Sequence, residues 1–252
     1  MIKLKVLAVG SDAKTVKGLK LKVCTAILYL APATEAGRGN LCPNASQGCR
    51  AACLFTAGRG RFANVRTARI KKTLRWFDDR RAFLADIVRD IQKLESYCRR
   101  KRLIPAVRLN GTSDIPWENV IMPDDGGNMM DLFPRVNFYD YTKSPARAIK
   151  AANGEMPANY SLTFSRSEDN QKHVVRVLLQ GGNVAAVYSG KLHDEMRWNG
   201  KGTAKHKGKT IFNGDITDAR FKDPKGVIVA LRAKGEAKVD STGFVIGRLC
   251  DE

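Results

Sequence analysis

Long apolar runs are missing from this sequence, and with them the simplest signs of a membrane or secreted protein. No segment approaches the ~20 apolar residues that a membrane-spanning helix needs. The amino-terminal stretch MIKLKVLAVGSDAK also lacks an apolar region of signal-peptide length followed by a small-residue cleavage site. These absences predict a cytoplasmic protein with no membrane partner, in which thiols stay reduced.

Acidic residues are also scarce. The 252 residues include 25 Asp and Glu against 44 Lys and Arg, a formal net charge of +19, and such a field attracts polyanions. Basic and aromatic residues alternate in FTAGRGRFANVRTARIKKTLRWFDDRR, which is typical of surfaces that bind single strands. We therefore expect nucleic acid or another anionic partner. The alternative is a solvated basic surface whose rings pack inward. The predicted nucleic-acid contacts are Arg59, Arg61, Arg66, Arg69, Lys72 and Arg75.

Histidine is rare, and its three residues are scattered over separate predicted elements. Cysteine is clustered instead: Cys42, Cys49 and Cys53 have the spacing C-x6-C-x3-C. Clustered reduced cysteines more often ligate metal or perform redox chemistry than form disulfides. Structural zinc takes four ligands, and a fourth would come from Cys24 or Cys250. Three thiolates leave one metal position open, which suits an iron–sulfur cluster. Zinc and metal-free cysteines are the alternatives.

Strand-like and helix-like segments alternate along the chain. The stretch Leu19–Pro32 is predicted as the first core strand, and five further apolar runs each end in polar residues. From Thr67 to about Arg102 apolar residues recur at helical spacing, with a break expected near Asp79. Strands separated by helices form parallel βαβ units. The sequence therefore predicts six parallel strands, in an open doubly wound sheet or a partial barrel.

We predict a single α/β domain over residues 1–252. Residues 1–18 are expected to append a strand, 19–235 to form the parallel unit and 236–252 to add a carboxyl-terminal strand with Cys250 exposed. The Gly- and Lys-rich stretch 198–209, WNGKGTAKHKGK, is predicted to be a mobile loop.

Polar residues collect where the predicted strands end. Ligands bind at the carboxyl ends of the strands in both candidate architectures, and the cysteine loop follows the first strand to the same rim. Any single polar residue there could simply meet solvent, but together they indicate a site. The candidates are Asn110, Ser113 and Asp114 after the second strand, Asp140 and Lys143 at the third, and Ser165 and Arg166 at the fourth.

Ordered motifs connect these elements. They are CPNASQGCRAAC, VRLNGTSDIPWENV, VNFYDYTKSP, YSLTFSRSE and FNGDITDARFKDPKGVIVALRAKG. In this order they resemble bacteriophage proteins of the gp88-like kind. A first strand, a three-cysteine loop, a basic helix and further βα units also resemble the radical S-adenosylmethionine superfamily, whose usual spacing is C-x3-C-x2-C. The resemblance implies a partial (β/α)6 TIM-like barrel, mainly parallel, in the cytoplasm of a phage host.

The same resemblance implies roles for the candidate residues. Cys42, Cys49 and Cys53 correspond to the ligands of a [4Fe-4S] cluster that binds S-adenosylmethionine and splits its carbon–sulfur bond. Cofactor binding is expected from Asn110, Ser113, Asp140 and Ser165, and catalytic roles from Asp114, Lys143 and Arg166. The chain is then a radical-SAM-like enzyme or its non-catalytic descendant, acting on nucleic acid or another anionic substrate. The alternative is a basic nucleic-acid-binding protein with a structural zinc or iron–sulfur site.

Overall fold

The computed structural model describes residues 2–10, 13–124, 126–206 and 208–247. Within these ranges the chain forms a ten-stranded sheet with helices packed against it. The strands are β1 (Ala8–Val9), β2 (Val23–Ile27), β3 (Ile104–Arg108), β4 (Asn137–Thr142), β5 (Tyr160–Ser165), β6 (Val184–Tyr188), β7 (Thr203–His206), β8 (Lys209–Asn213), β9 (Ile228–Arg232) and β10 (Val245–Ile246). The α-helices are α1 (Ala13–Gly18), α2 (Gln47–Ala51), α3 (Ala63–Asp78), α4 (Arg80–Lys101), α5 (Met129–Leu132), α6 (Pro145–Ala152), α7 (Gln171–Leu179) and α8 (Gly190–Glu195). Across the described residues, none of the helices has the length and apolar character that crossing a membrane requires.

Six strands form the centre of the sheet. β2, β3, β4, β5, β6 and β9 lie side by side in chain order, and each neighbouring pair is parallel. These are the six strands that the sequence predicts, so the α/β class and the parallel pairing are confirmed. Their order runs in one direction, without the reversal that defines a doubly wound sheet.

The sheet is open, and antiparallel pairs lie at both edges. β1 pairs antiparallel with β2, and beyond β9 the strand β8 pairs antiparallel with β7. β10 pairs with β6 off the main path. The observed fold is therefore a mixed α/β sheet that is mostly parallel and not closed. The expected partial (β/α)6 barrel is not confirmed, because these additional strands continue the sheet instead of closing it.

The stretch 198–209 does not form the loop that its glycines and lysines predict. Its second half contributes to a hairpin, since β7 lies within it and Lys209 begins β8. The side-chain Oδ1 of Asn199 accepts the backbone N–H groups of Lys201 and Thr203, each at 2.9 Å, and so orders the turn before β7. The hairpin is held to the body by Ile211, which is fully buried against the β6 and β9 side chains.

The chain ends contribute short elements. Residues 1–18 provide β1 and α1, and the carboxyl-terminal segment provides β10. Cys250 lies outside the described residues. The predicted long helix is present as α3 and α4 with the break at Asp79, whose Oδ1 caps α4 by accepting the Ala82 N–H at 3.2 Å.

The two faces of the sheet differ in chemistry. On the outer face, Cys24, Val107 and Phe138 join the largest apolar cluster together with side chains of α4. The inner face is covered in part by residues 217–222, where Ala219 packs on the buried Tyr139. Asp218 in this segment accepts a hydrogen bond from the Tyr139 hydroxyl at 3.2 Å. The segment covers the inner face toward the strand beginnings and leaves a cavity at their carboxyl ends.

Candidate metal and ligand site

The three clustered cysteines belong to a loop that is tied to the rest of the rim. Ser46 caps α2 by accepting the Cys49 N–H at 3.1 Å. Glu168, from the loop after β5, accepts the Gly48 N–H at 2.7 Å and the Ser46 hydroxyl at 2.9 Å. A Cβ on Gly48 would lie 2.2 Å from the Thr242 hydroxyl oxygen, so this turn requires glycine. These contacts fix the cysteine loop against β5 and the carboxyl-terminal segment.

Cys42, Cys49 and Cys53 all line one cavity of about 1020 Å³, which we call the cysteine cavity. Burial raises the pKa of all three thiols, and charge on neighbouring cysteines contributes to the rise for Cys42 and Cys53. The pKa of Cys42 is raised to about 12. The Phe55 N–H donates to the Cys53 Sγ at 3.5 Å. The loop therefore gathers three partly buried sulfurs that repel one another as thiolates, an arrangement that a bound cation would relieve.

The donor set fits an iron–sulfur cluster, which is held by cysteine thiolates and tuned by hydrogen bonds to sulfur. Among the described residues, no group of three or more His, Cys, Asp and Glu side chains is arranged to hold a metal ion. Cys24 and Cys98 lie elsewhere, buried in the apolar core between β2 and α4 and hydrogen-bonded to each other.

A partly buried lysine, Lys143, lies beside the cysteines. The Lys143 ammonium donates to the carbonyls of Ser165 and Arg166 and to the Ser165 hydroxyl, at 3.1 to 3.3 Å. It lies 5.0 Å from the centre of the Phe244 ring. Burial lowers the pKa of Lys143, and Cys49 and Glu168 oppose that effect. Burial thus disfavours the positive charge of Lys143, whereas the neighbouring Cys49 and Glu168 favour it.

An acid–arginine network supports the rim from below. Asp114 accepts the Lys143 backbone N–H at 2.8 Å and pairs with Arg147 at 2.6 Å. Arg147 also pairs with Glu118 and donates to the Tyr160 hydroxyl. Because the oxygens of Asp114 are occupied in this way, the residue positions Lys143 within the cavity wall.

Most of the predicted rim residues meet at the cysteine cavity. They are Asn110, Ser113, Asp114, Lys143 and Ser165. Asn110 uses its amide in local bonds: Nδ2 donates to the Ile115 carbonyl, and Oδ1 accepts from Ser113 and the Ile115 N–H. This side chain shapes the loop after β3 and leaves cavity contacts to its neighbours.

Two predicted residues do not line the cavity. Asp140 is buried and accepts bonds from the Asn110 backbone N–H and the Tyr160 hydroxyl, at 2.8 and 3.1 Å. The Arg166 guanidinium donates to the carbonyls of Gly243 and Phe244, at 2.6 and 2.8 Å. Both therefore hold segments of the rim together.

The six cations predicted to contact nucleic acid divide into two groups. Arg59, Arg61 and Arg66 are exposed. The others are engaged within the protein: Arg69 is buried, the Lys72 ammonium donates to the Val6 carbonyl at 3.2 Å, and Arg75 pairs with the buried Asp86. Arg59, Arg69 and Lys72 line the cysteine cavity, so the basic surface continues into it.

Sequence reasoning missed several cavity residues. Tyr29 and Phe55 form aromatic wall on the α3 side. Arg108, which the sequence places at the end of the second predicted strand, also lines the cavity, but its pairing there with Asp218 at 3.2 Å was missed. Strand alternation would have put Arg108 on the same face of β3 as Ala106. Its contact with Asp218 joins residues 110 positions apart, and no local sequence pattern predicts that contact.

Fold and site define an open α/β protein with a cysteine-lined cavity at the carboxyl ends of a sequential parallel sheet. The chain belongs to the Gene product 88 family, whose model matches residues 5–248. No curated protein and no solved structure matches it.

Proposed function

We propose that the protein binds a [4Fe-4S] cluster through Cys42, Cys49 and Cys53 and holds a small ligand beside it. The observation that carries the proposal is the convergence of three partly buried thiols on one cavity at the carboxyl rim. A volume of about 1020 Å³ is at the upper end of that of small-molecule sites. We further propose a sheet curved as a partial barrel around this cavity.

The ligand proposed for the open cluster position is S-adenosylmethionine, and the activity is radical-SAM-like. When bound, such a cluster supplies the electron that splits the carbon–sulfur bond of this ligand. The chain's own residues bind and orient. Lys143 holds a positive charge beside Cys49, Asp114 fixes the Lys143 backbone, and Ser165 orients the ammonium.

Iron and sulfide content after purification without oxygen tests the proposal. We expect stoichiometric iron and sulfide with visible absorption in the unmodified protein. Alanine substitution of Cys42, Cys49 or Cys53 should each remove most of the iron. Cys98→Ala is the matched control, because its thiol lies in the core with Cys24, and it should retain iron. Iron retained in all three loop variants, or a colourless protein with bound zinc, would contradict the cluster.

The second candidate is a basic nucleic-acid-binding protein in which the metal site is structural. It is favoured by the exposed Arg59, Arg61 and Arg66 beside Phe62, whose side chain is 53% exposed. Exposed cations next to an exposed ring can bind phosphates and stack on a base. Absence of 5′-deoxyadenosine release from S-adenosylmethionine under a strong reductant, with the cluster intact, would favour this candidate.

A further inference from the structure

Arg69 is buried, but no carboxylate of the described residues pairs with its charge. It is 8% exposed and lies on α3. Its guanidinium carbon is 4.7 Å from the centre of the Tyr29 ring and 5.5 Å from that of Phe55. Its buried Nη1 has no hydrogen-bond partner among the described residues. A buried N–H of a charged group that lacks a partner is strongly unfavourable.

The other buried arginines have the acidic partners that Arg69 lacks among the described residues. Arg147 pairs with Asp114 and Glu118, and Arg220 pairs with Asp223 at 3.0 Å. Their charges are compensated within the protein. Within the described ranges, Arg69 is the buried arginine without an acidic partner.

A second cation lies one helical turn further along α3. Lys72 shares the helix face of Arg69, and its ammonium meets the Val6 carbonyl at 3.2 Å. Burial and the neighbouring charge of Arg69 together lower the pKa of Lys72 to about 8. The two cations therefore repel each other where water is largely excluded, and a bound anion would offset this repulsion.

Both cations face the cysteine cavity. Each lines it, and the charge of Arg69 acts on the Cys53 thiol. A guanidinium held between aromatic rings with a free N–H is suited to a carboxylate or phosphate oxygen. Because the guanidinium is buried, the anion must enter the cavity, which suits a small molecule better than a polymer backbone.

We propose that Arg69, assisted by Lys72, forms an oxyanion subsite that binds the carboxylate or phosphate group of a small ligand in the cysteine cavity. The proposal deepens the proposed function, since it concerns the same cavity. It rests on contacts in which no cluster takes part.

Thermal unfolding at constant ionic strength, titrated with inorganic phosphate and separately with acetate, tests the subsite. Binding to the folded state raises Tm in a saturable way. We expect this rise in the unmodified protein with at least one of the two anions. Arg69→Met should need at least about tenfold more of that anion to reach half of the rise in Tm, because a charged hydrogen bond is lost. Lys71→Met, an exposed neighbour on α3 with the same charge change, should behave like the unmodified protein.

A structural role for Arg69 predicts a different result. Without added anion, Arg69→Met should unfold at the same Tm as the unmodified protein or higher, because an unpartnered buried cation has been removed. A lower Tm would overturn the proposal, and so would a rise with phosphate and acetate equal to that of the unmodified protein. Arg69→Lys keeps the positive charge but loses the planar N–H donors of the guanidinium, and it should bind the two anions with intermediate affinity.

The remaining outcomes separate this subsite from its alternatives. Saturable protection by a single-stranded oligonucleotide, with none from phosphate or acetate, would assign Arg69 to a nucleic acid and overturn the small ligand. Arg69→Met should keep the iron content of the unmodified protein. If the unmodified protein holds no iron yet shows Arg69-dependent protection, the cluster fails and the subsite stands.

Discussion

At the scale of single residues, two buried carboxylates are accommodated in opposite ways. The Asp86 carboxylate forms ion pairs with Lys5, Arg75 and Arg89. Burial disfavours its charge, but hydrogen bonds from these cations outweigh burial and lower the pKa of Asp86. Asp140 has no ion-pair partner in the described part of the chain, and burial raises its pKa to about 7. The two groups therefore give stability opposite dependences on pH.

The raised pKa of Asp140 makes a testable contribution to stability. Between pH 4 and 7 the folded protein keeps a proton that the unfolded chain has released, so this contribution falls as pH rises toward 7. Asp140→Asn mimics the protonated acid and should remove that fall. The free energy of unfolding of the unmodified protein, relative to the variant, should then decrease from pH 4 to 7 by on the order of a few kcal/mol.

Denaturant titrations at several pH values measure this difference. Asp124→Asn is the control, since its carboxylate is 64% exposed and pairs with Arg81 at the surface. Its free energy of unfolding should follow that of the unmodified protein. Parallel pH profiles for Asp140→Asn and the unmodified protein would show that Asp140 ionises normally in the fold.

Sequence position predicted the rim residues but not the face on which each one lies. Along β4, Asp140 lies between Tyr139 and Tyr141 and therefore faces the opposite side of the sheet from them. This is the outer face, which it shares with Phe138. Strand alternation could have separated it from the cavity residues. Arg166 bonds to carbonyls more than 70 positions away, and no local pattern carries that information.

At the scale of elements, the cysteine loop depends on Glu168. Its two oxygens accept bonds from Ser46 and Gly48, which flank the start of α2. Glu168→Ala removes both acceptors and should destabilise the protein by about 1–3 kcal/mol, because donors are left without a charged partner. We also expect faster amide hydrogen exchange across residues 46–53 and lower iron retention.

Asp169→Ala provides the matched control for the loop. Asp169 neighbours Glu168 in the chain but bonds the Ser167 hydroxyl, so its loss should leave exchange in residues 46–53 unchanged. Exchange is measured by mass spectrometry and does not depend on bound metal. Equal protection of the loop in Glu168→Ala and Asp169→Ala would remove Glu168 from this role.

Elements were predictable where local chemistry decides them. The break between α3 and α4 follows from Asp79, a residue that caps the second helix. The hairpin of β7 and β8 was not, because its strands carry Lys205 and Lys209, residues that favour solvent. Lysines on an edge strand protect a sheet from pairing with other chains, so the composition that indicates a loop also fits an edge hairpin.

At the scale of the whole molecule, the alternation of elements was enough to predict six parallel strands. Strands were also predicted near both chain ends, where β1 and β10 lie. The β7–β8 hairpin, the antiparallel edges and the pairing of β10 with β6 were not predicted, because they depend on long-range pairing. The three-cysteine loop was predicted to lie on the carboxyl rim, and it does. The network beneath the rim joins Asp114 in the loop after β3 to Arg147 on α6 and to Tyr160 at the start of β5, and it is visible only after folding.

The net charge of +19 also belongs to this scale. Arg59, Arg61 and Arg66 are exposed beside the cavity, next to the exposed Phe62. Cations that contact phosphates release bound counter-ions, so the affinity for a single-stranded oligonucleotide should fall linearly on a log–log plot against salt. If these three arginines make the contacts, changing all three to Gln should lower the slope by about 2, since each single-strand phosphate contributes about 0.7.

A triple variant with the same loss of charge at the other end of the molecule completes the test. Arg99, Arg100 and Lys101 are exposed at the end of α4, just before β3 begins, and so lie away from the carboxyl rim. Changing them to Gln alters net charge equally without touching the proposed surface. Fluorescence anisotropy from about 50 to 200 mM salt should show a reduced slope for the Arg59, Arg61 and Arg66 variant and a nearly unchanged slope for this one. Equal reductions in both would mean that the whole positive field attracts the strand, and salt-independent binding would exclude phosphate contacts by these arginines.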